Sequence, residues 1–342
     1  EILISFQGLD ESIAYNVINY INEYAGQLRV QHKIRLAQPY DYQQKDNARS
    51  EYWIILSDGN FDESFDHLSK DQYLILDFAQ WEPSEIIRSC FGSAIDQQSN
   101  YSKAIWSFLL GILLSRKLIL GDGIKTNKSD DFVQRIDSDT LKEIDTFISA
   151  LRYLDKNELI EHQIRYAAKM FLTRKNWKSI GSGTNYNTAK YAAKNLIREL
   201  GRACAFDVLE NHKHIDMSAE SAILVFISGI WKHGYQEDTL SELRKMLAHN
   251  SLPIILTDLN DNRFDNYSVL VVHGNGETKE VGVPVIKLPR VSLQYSYPLN
   301  VRLLDKITEA LKLVRDSKSS DLSQILALVS ADSELANANL WK

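Results

Sequence analysis

The sequence predicts an α/β protein built from two parallel sheets, each with helices on both faces. Three observations lead there. Short apolar runs alternate with helical patterns at a spacing that suits parallel strands joined by crossover helices. The same order of elements then begins again past the middle of the chain, which reads as an approximate internal duplication. Finally, 342 residues with 44% hydrophobic and 25% charged side chains make an ordinary globular composition, long enough for two domains.

The elements follow in order. "EILISF" (Glu1 to Phe6) is a strand, and the pattern through "IAYNVINYINEYAG" is a helix. "QLRVQHKI", "YWIILS" and "YLILDF" are three further strands, and "AIWSFLLGILL" is a buried helix. After the charged stretch "GDGIKTNKSDDF", two helical segments cover residues 138–154 and 158–173, with Ser138 as N-cap of the first. "WKSIGSG" is strand plus turn, and a long helix follows to Leu200. "ACAFDVLE", "AILVFIS", "LPIILTD" and "YSVLVVHG" are four more strands, with a helix over residues 235–249. The expected boundaries are a first domain over 1–120, a linker with bridging helices over 121–175, a second domain over 176–318 and a tail over 319–342.

Several function classes are disfavoured at once. A net charge of −6 gives no general attraction to nucleic acid or anionic lipid. Two cysteines, Cys90 and Cys204, exclude a disulfide framework or a Cys-rich zinc site, so a reducing cytoplasm is the expected setting. The apolar stretch from Ala104 to Leu114 is about half the length of a membrane span. The chain opens at Glu1 without a basic n-region, so no signal peptide is expected.

"SIGSGTNYNTAKYAAKNLIREL" (Ser179 to Leu200) carries the chemistry. A strand ending in Gly181-Ser182-Gly183-Thr184-Asn185 hands over to a helix whose first N–H groups and dipole favour an anion, with Ser182 and Thr184 adding hydroxyls. Phosphate is the natural guest. The alternative is a tight turn with Asn185 as helix cap. A dinucleotide is disfavoured, because Tyr186 stands where G-x-G-x-x-G needs its last glycine. Glu199 lies on or beside the helix's apolar face. Half-buried, its pKa would rise and suit base catalysis; at the surface it would pair with Arg198, Arg202 or Lys194. "ENHKHID" (Glu210 to Asp216) offers His212 and His214, without a third ligand at a zinc-like spacing, so a proton shuttle fits at least as well and no metal is expected.

These segments resemble the sugar isomerase (SIS) domain family, in its double-SIS form with two tandem flavodoxin-like domains. "IGSGTNYNTAKYAAKNLIRELG" is similar to the family's G-S/R-G-x-x-Y-x-x-A…L-K-E segment, and "ENHKHID" stands where the family has E-x-x-H-G-P. "SNYSKAIWSFLLGILLSRKL" and "YPLNVRLLDKITEALKL" resemble the helices that close the two domains. The resemblance implies Glu199 as the glutamate that moves a proton between C1 and C2 of a sugar, one place past the family position. It implies His214 as the ring-opening histidine, and Ser12, Ser57 and Ser102 as first-domain substrate and phosphate contacts. It also implies a homodimer without cofactor that acts on a sugar or amino-sugar 6-phosphate, as an isomerase, deaminase or deglycase. The sequence departs from the pattern at "SFQGLDES" and "LSDGNFDE", where Asp10, Glu11, Asp58 and Asp62 bring negative charge to the expected phosphate site. Each opposes an anion by roughly 1 kcal/mol. The alternative is therefore a catalytically degenerate member that senses a sugar phosphate or partners a catalytic homologue.

Overall fold

In the computed structural model, the described residues are 2–7, 11–27, 34–36, 52–57, 73–77, 100–120, 138–209, 218–228, 236–272, 278–291 and 293–316. The chain divides into two compact units, Glu1–Ile144 and Asp145–Lys342.

In the first unit, β1 (Ile2–Gln7) leads into α1 (Glu11–Gln27), followed by β2 (Ile34–Leu36), β3 (Tyr52–Ser57), β4 (Tyr73–Asp77) and α2 (Asn100–Leu120). The strands form one parallel sheet in the order β2-β1-β3-β4, with Ile4 opposite Ile54 and Phe6 opposite Leu56. Ile13, Ala14, Val17, Ile18 and Ile21 form the helical stripe of α1 and share a core with Ile4, Ile54 and Leu56.

The apolar stretch 104–114 lies within α2, which packs along α1. Asn16 Nδ2 donates to Ser107 Oγ at 2.9 Å, and a Cβ on Gly111 would meet Tyr20 Cβ at 2.8 Å. Both pairs have the same sequence separation, so the helices run parallel. The Tyr20 ring meets Phe108 edge-on at 6.3 Å. Gly111→Ala should therefore overpack this contact and cost about 1–3 kcal/mol, read as a lowered Tm. An unchanged Tm would mean that the helices separate freely. Among the described residues, no helix is long and apolar enough to cross a membrane.

The second unit begins within α3 (Ser138–Lys156) and continues through α4 (Glu158–Leu172), β5 (Asn176–Gly181), α5 (Thr184–Leu200), β6 (Cys204–Asp207), β7 (Ser221–Phe226), α6 (Gln236–Ala248) and β8 (Leu252–Asp258). It ends with β9 (Ser268–Val272), β10 (Thr278–Gly282), β11 (Val285–Leu288) and α7 (Leu293–Asp316). Its parallel sheet has the order β11-β8-β7-β5-β6.

One expected strand lands elsewhere. "YSVLVVHG" supplies β9, which pairs antiparallel with β10 in a separate hairpin, while β11 takes the edge beside β8. The reason is visible in burial. β8 is buried at every position, as a parallel strand covered on both faces must be, whereas Val269 and Val271 are buried around an exposed Leu270. An alternating strand suits a one-sided hairpin.

α4 is capped by Asn157, whose side chain accepts from Leu159 N and Ile160 N. It packs on α7 and β11. The first four strands of each unit share one spatial order, with the first strand between the second and third. Crossovers leave that first strand in opposite directions, which opens a crevice at its C-terminal end.

Candidate functional site

The glycine turn lies at this switch point. Gly181 ends β5, and a Cβ there would come within 2.4 Å of the Asn185 carbonyl oxygen, so the first turn of α5 closes directly over the strand end. Gly183 has φ +59° and ψ −129° and precedes the helix without any side-chain cap; its backbone suits glycine alone. The N–H groups of Asn185 and Tyr186 turn back to the carbonyls of Ser182 and Gly183 at 3.1 and 3.0 Å. Among the described residues, no backbone partner takes the N–H groups of Gly183 and Thr184. Ser182 and Thr184 are buried beside them.

Asn185 does not cap the helix. It is fully buried, and its Nδ2 donates to the Ser228 carbonyl at 3.0 Å, tying the turn after β5 to the turn after β7 across the crevice. The next strand, β8, ends in buried Asp258, with Arg290 Nε 3.9 Å from its carboxylate. Tyr186 leans on Phe206 with ring centroids 6.0 Å apart, a bulky pair where a dinucleotide fold needs close helix–strand packing.

Glu199 lies elsewhere. Sixteen residues of helix separate it from Gly183, about 24 Å. Its carboxylate accepts from Lys312 Nζ at 2.6 Å and from Arg198 Nε at 2.9 Å. Lys312 first, then Arg198, hold its pKa below the ordinary carboxylate value. Of the two alternatives, the raised pKa falls and the pairing one holds, through Arg198 as expected and through Lys312, which the sequence did not name. The two cations stabilise the ionised form more than partial burial opposes it.

The remaining candidates fall as follows. Ser12 is the second residue of α1, Ser57 the last of β3 and Ser102 the third of α2. Strand direction and the parallel α1–α2 pair put all three at the C-terminal edge of the first unit's sheet. Ser102 is buried. His212 and His214 lie outside the described residues, as do Cys90, Asp10, Asp58 and Asp62. Burial pushes the Cys204 thiol up to about 12, which makes it an inert core group. Among the described residues, no cluster of three His, Cys, Asp or Glu side chains could hold a metal.

Sequence reasoning missed a polar seam between α5 and α7. Asn195 Nδ2 donates to Thr308 Oγ1 at 3.1 Å, one turn before the Glu199–Lys312 pair. Beside it, burial raises the Asp305 pKa to about 6. The signal was present as Asn187, Tyr191, Asn195 and Glu199, polar residues four apart on one helix.

A parallel α/β unit with a glycine turn at its switch point defines the class, and residues 171–293 match the SIS domain family model. That match lies within the second unit. The chain is also similar in structure to the C-terminal domain of glucosamine-fructose-6-phosphate aminotransferase from Francisella tularensis, with a TM-score of 0.64 at 12% identity, over 92% of this chain and 84% of that one. Tagatose-6-phosphate ketose/aldose isomerase from Escherichia coli aligns with a TM-score of 0.52 at 12% identity, over 96% and 82% of the two chains. At such identities the likeness is one of fold. No curated protein matches the sequence.

Proposed function

We propose that this protein binds a sugar phosphate through SIS-type crevices, as the second of two tandem SIS domains in this chain and its first-unit counterpart would provide. The observation that carries this reading is the uncapped start of α5 above Gly183, within the SIS-matched segment. N–H donors without a backbone partner among the described residues, the helix dipole and two hydroxyls suit a phosphate at that point. Ser12, Ser57 and Ser102 are the corresponding candidates in the first unit. The structural neighbours, an aminotransferase domain and a ketose/aldose isomerase named for 6-phosphates, point to the same ligand class.

A second reading, isomerase, deaminase or deglycase chemistry, rests on the resemblance that makes Glu199 the base, and it needs a substrate placed away from the glycine turn, at the far end of α5. The Glu199 carboxylate is held ionised and is one-third exposed, the state from which a base removes a proton from carbon. The same two cations make it a weaker base than a carboxylate with a raised pKa. In this reading His214 opens the sugar ring and the active form is a homodimer.

The test is a thermal-shift panel of hexose, aminosugar and fructosamine 6-phosphates, with turnover assayed for each hit. A ligand at about a hundred times its Kd should add about 2.7 kcal/mol of stability. Glu199→Gln should retain binding and abolish turnover if the second reading holds. Binding without turnover in the unaltered protein leaves a sensor or a partner of a catalytic homologue. No shift with any phosphosugar would sink the proposal.

A further inference from the structure

The β9–β10 hairpin stands outside the parallel sheet, and its two strands pack chiefly on each other. Side chains from other elements fasten its main chain. At the base, the Tyr166 hydroxyl on α4 donates to the Gly282 carbonyl at 2.6 Å. At the middle, the fastening converges on Leu270. Asn250 Oδ1 accepts from Leu270 N at 2.8 Å, and Asn250 Nδ2 donates to Leu270 O at 3.0 Å. Arg174 Nη2 donates to the same carbonyl at 3.2 Å, while its Nη1 donates to the Ala219 carbonyl just before β7. Asn250 precedes β8 and Arg174 precedes β5, so this fastening lies at the N-terminal end of the sheet, opposite the glycine turn.

Leu270 N and O both meet Asn250, so they point away from β10. A primary amide offers one donor and one acceptor side by side, as a residue of a neighbouring strand does. Position alone gives Asn250 a simpler role. Asn250 N bonds Leu247 O and Ser251 N bonds Met246 O, which closes α6. Asn250 has φ +54°, the one positive value at a non-glycine residue among the described residues. Glycine would meet that demand at less cost. What asparagine adds is the amide. The Leu270 side chain is 49% exposed, so burial does not fix the strand at this point.

We infer that Asn250 is a latch: its amide, with Arg174 beside it, holds the β9–β10 hairpin to the N-terminal end of the sheet, and the hairpin opens as one unit when the latch is cut. The strands stay together because they pair from Ser268 opposite Gly282 to Val272 opposite Thr278. Buried Val269, Val271 and Val281 keep the open form rare; the latch sets how rare. Segments with few packed neighbours open at a lower free energy than the core they rest on. The inference is independent of the sugar-phosphate reading, because the glycine turn lies at the other end of β5.

The experiment is amide hydrogen exchange on the full chain, resolved by residue, for the unaltered protein, Asn250→Gly and Asn250→Asp. Asn250→Gly suits the positive φ and removes only the amide. Asn250→Asp also tolerates that φ, keeps the acceptor and loses the donor at neutral pH, so it covers the case in which Asn250→Gly does not fold. Each folded variant should exchange the amides of β9 and β10 at least tenfold faster, with those of β5 and β7 unchanged. Faster exchange at Leu270 alone would overturn the inference, because the Asn250 amide would then close only its own bond. Equal acceleration in β5 and β7 would overturn it too, since the hairpin would then open only with the whole unit. Unchanged exchange throughout would show that Arg174 and the valines hold the hairpin without a latch, and the inference would fall.

Discussion

Gly181→Ala should destabilise the second unit by about 3 kcal/mol or more and weaken any ligand held at the turn. The added Cβ would lie 2.4 Å from the Asn185 carbonyl oxygen and 2.6 Å from its carbonyl carbon. Those are backbone atoms of the first helical turn, so no rotamer change relieves the clash. The helix start must move off the strand, and with it goes the Asn185–Ser228 bond that ties the turns after β5 and β7. Overpacking alone typically costs 1–3 kcal/mol, and loss of a buried hydrogen bond adds to it. Calorimetry on the full chain checks this. A Tm within a degree of the unaltered protein would show that α5 can shift without loss, and the tight closure over β5 would then carry no energy. Gly183→Ala is the informative contrast. No atom stands within 4 Å of its added Cβ, so its cost comes only from the backbone conformation, about 1–3 kcal/mol.

Asp305→Asn should stabilise the protein at pH 7.5 and leave it unchanged near pH 4. Burial, the largest influence, raises the Asp305 pKa to about 6; Arg302 and Arg198 act against it, and Glu309 and Glu199 add to it. The folded state then holds a proton that the unfolded chain has already released between about pH 4 and 6. Stability contributed by this group is full below pH 4 and falls as pH rises through that window, so above pH 6 the ionised carboxylate is a net cost. Allowing for partial exposure, that cost is about 1–2 kcal/mol. Thermal unfolding of both proteins across pH 4–8 should show a Tm gap that opens with rising pH. A constant gap, or a variant less stable at pH 7.5, would mean that Asp305 is stabilised as the anion by Arg302 and Arg198. Glu199 has the opposite sign. Its lowered pKa contributes stability that is present at neutral pH and is lost as pH falls through its folded value.

Much of this architecture was legible in the chain. The strands of both sheets up to β8, except β2, appear as apolar runs, and α5 appears as a helix that begins after a glycine turn; the segment read as the second strand, residues 27–34, meets β2 (Ile34–Leu36) only at Ile34. The need for glycine at 181 and 183 follows from backbone sterics over five residues, and Tyr186 argued against a dinucleotide without any structure. Other features were not legible. "YSVLVVHG" looked like one more strand of the sheet, because β propensity does not record which neighbour a strand will take. Asn185 reads as a cap by position, yet its side chain reaches Ser228, 43 residues away. Glu199 could be placed on the last turn of α5, but its electrostatics depend on Lys312.

The sequence by itself therefore determined the α/β class, the order of the elements and the glycine turn. Each of these is written in local periodicity and in the conformational limits of single residues. Only the tertiary structure decided that β11 rather than β9 joins the sheet, that Glu199 is held ionised by two cations, and that Asn195 meets Thr308 across the α5–α7 seam. Those outcomes depend on the register between segments far apart in the chain, and register is set by packing, which no window of neighbouring residues contains.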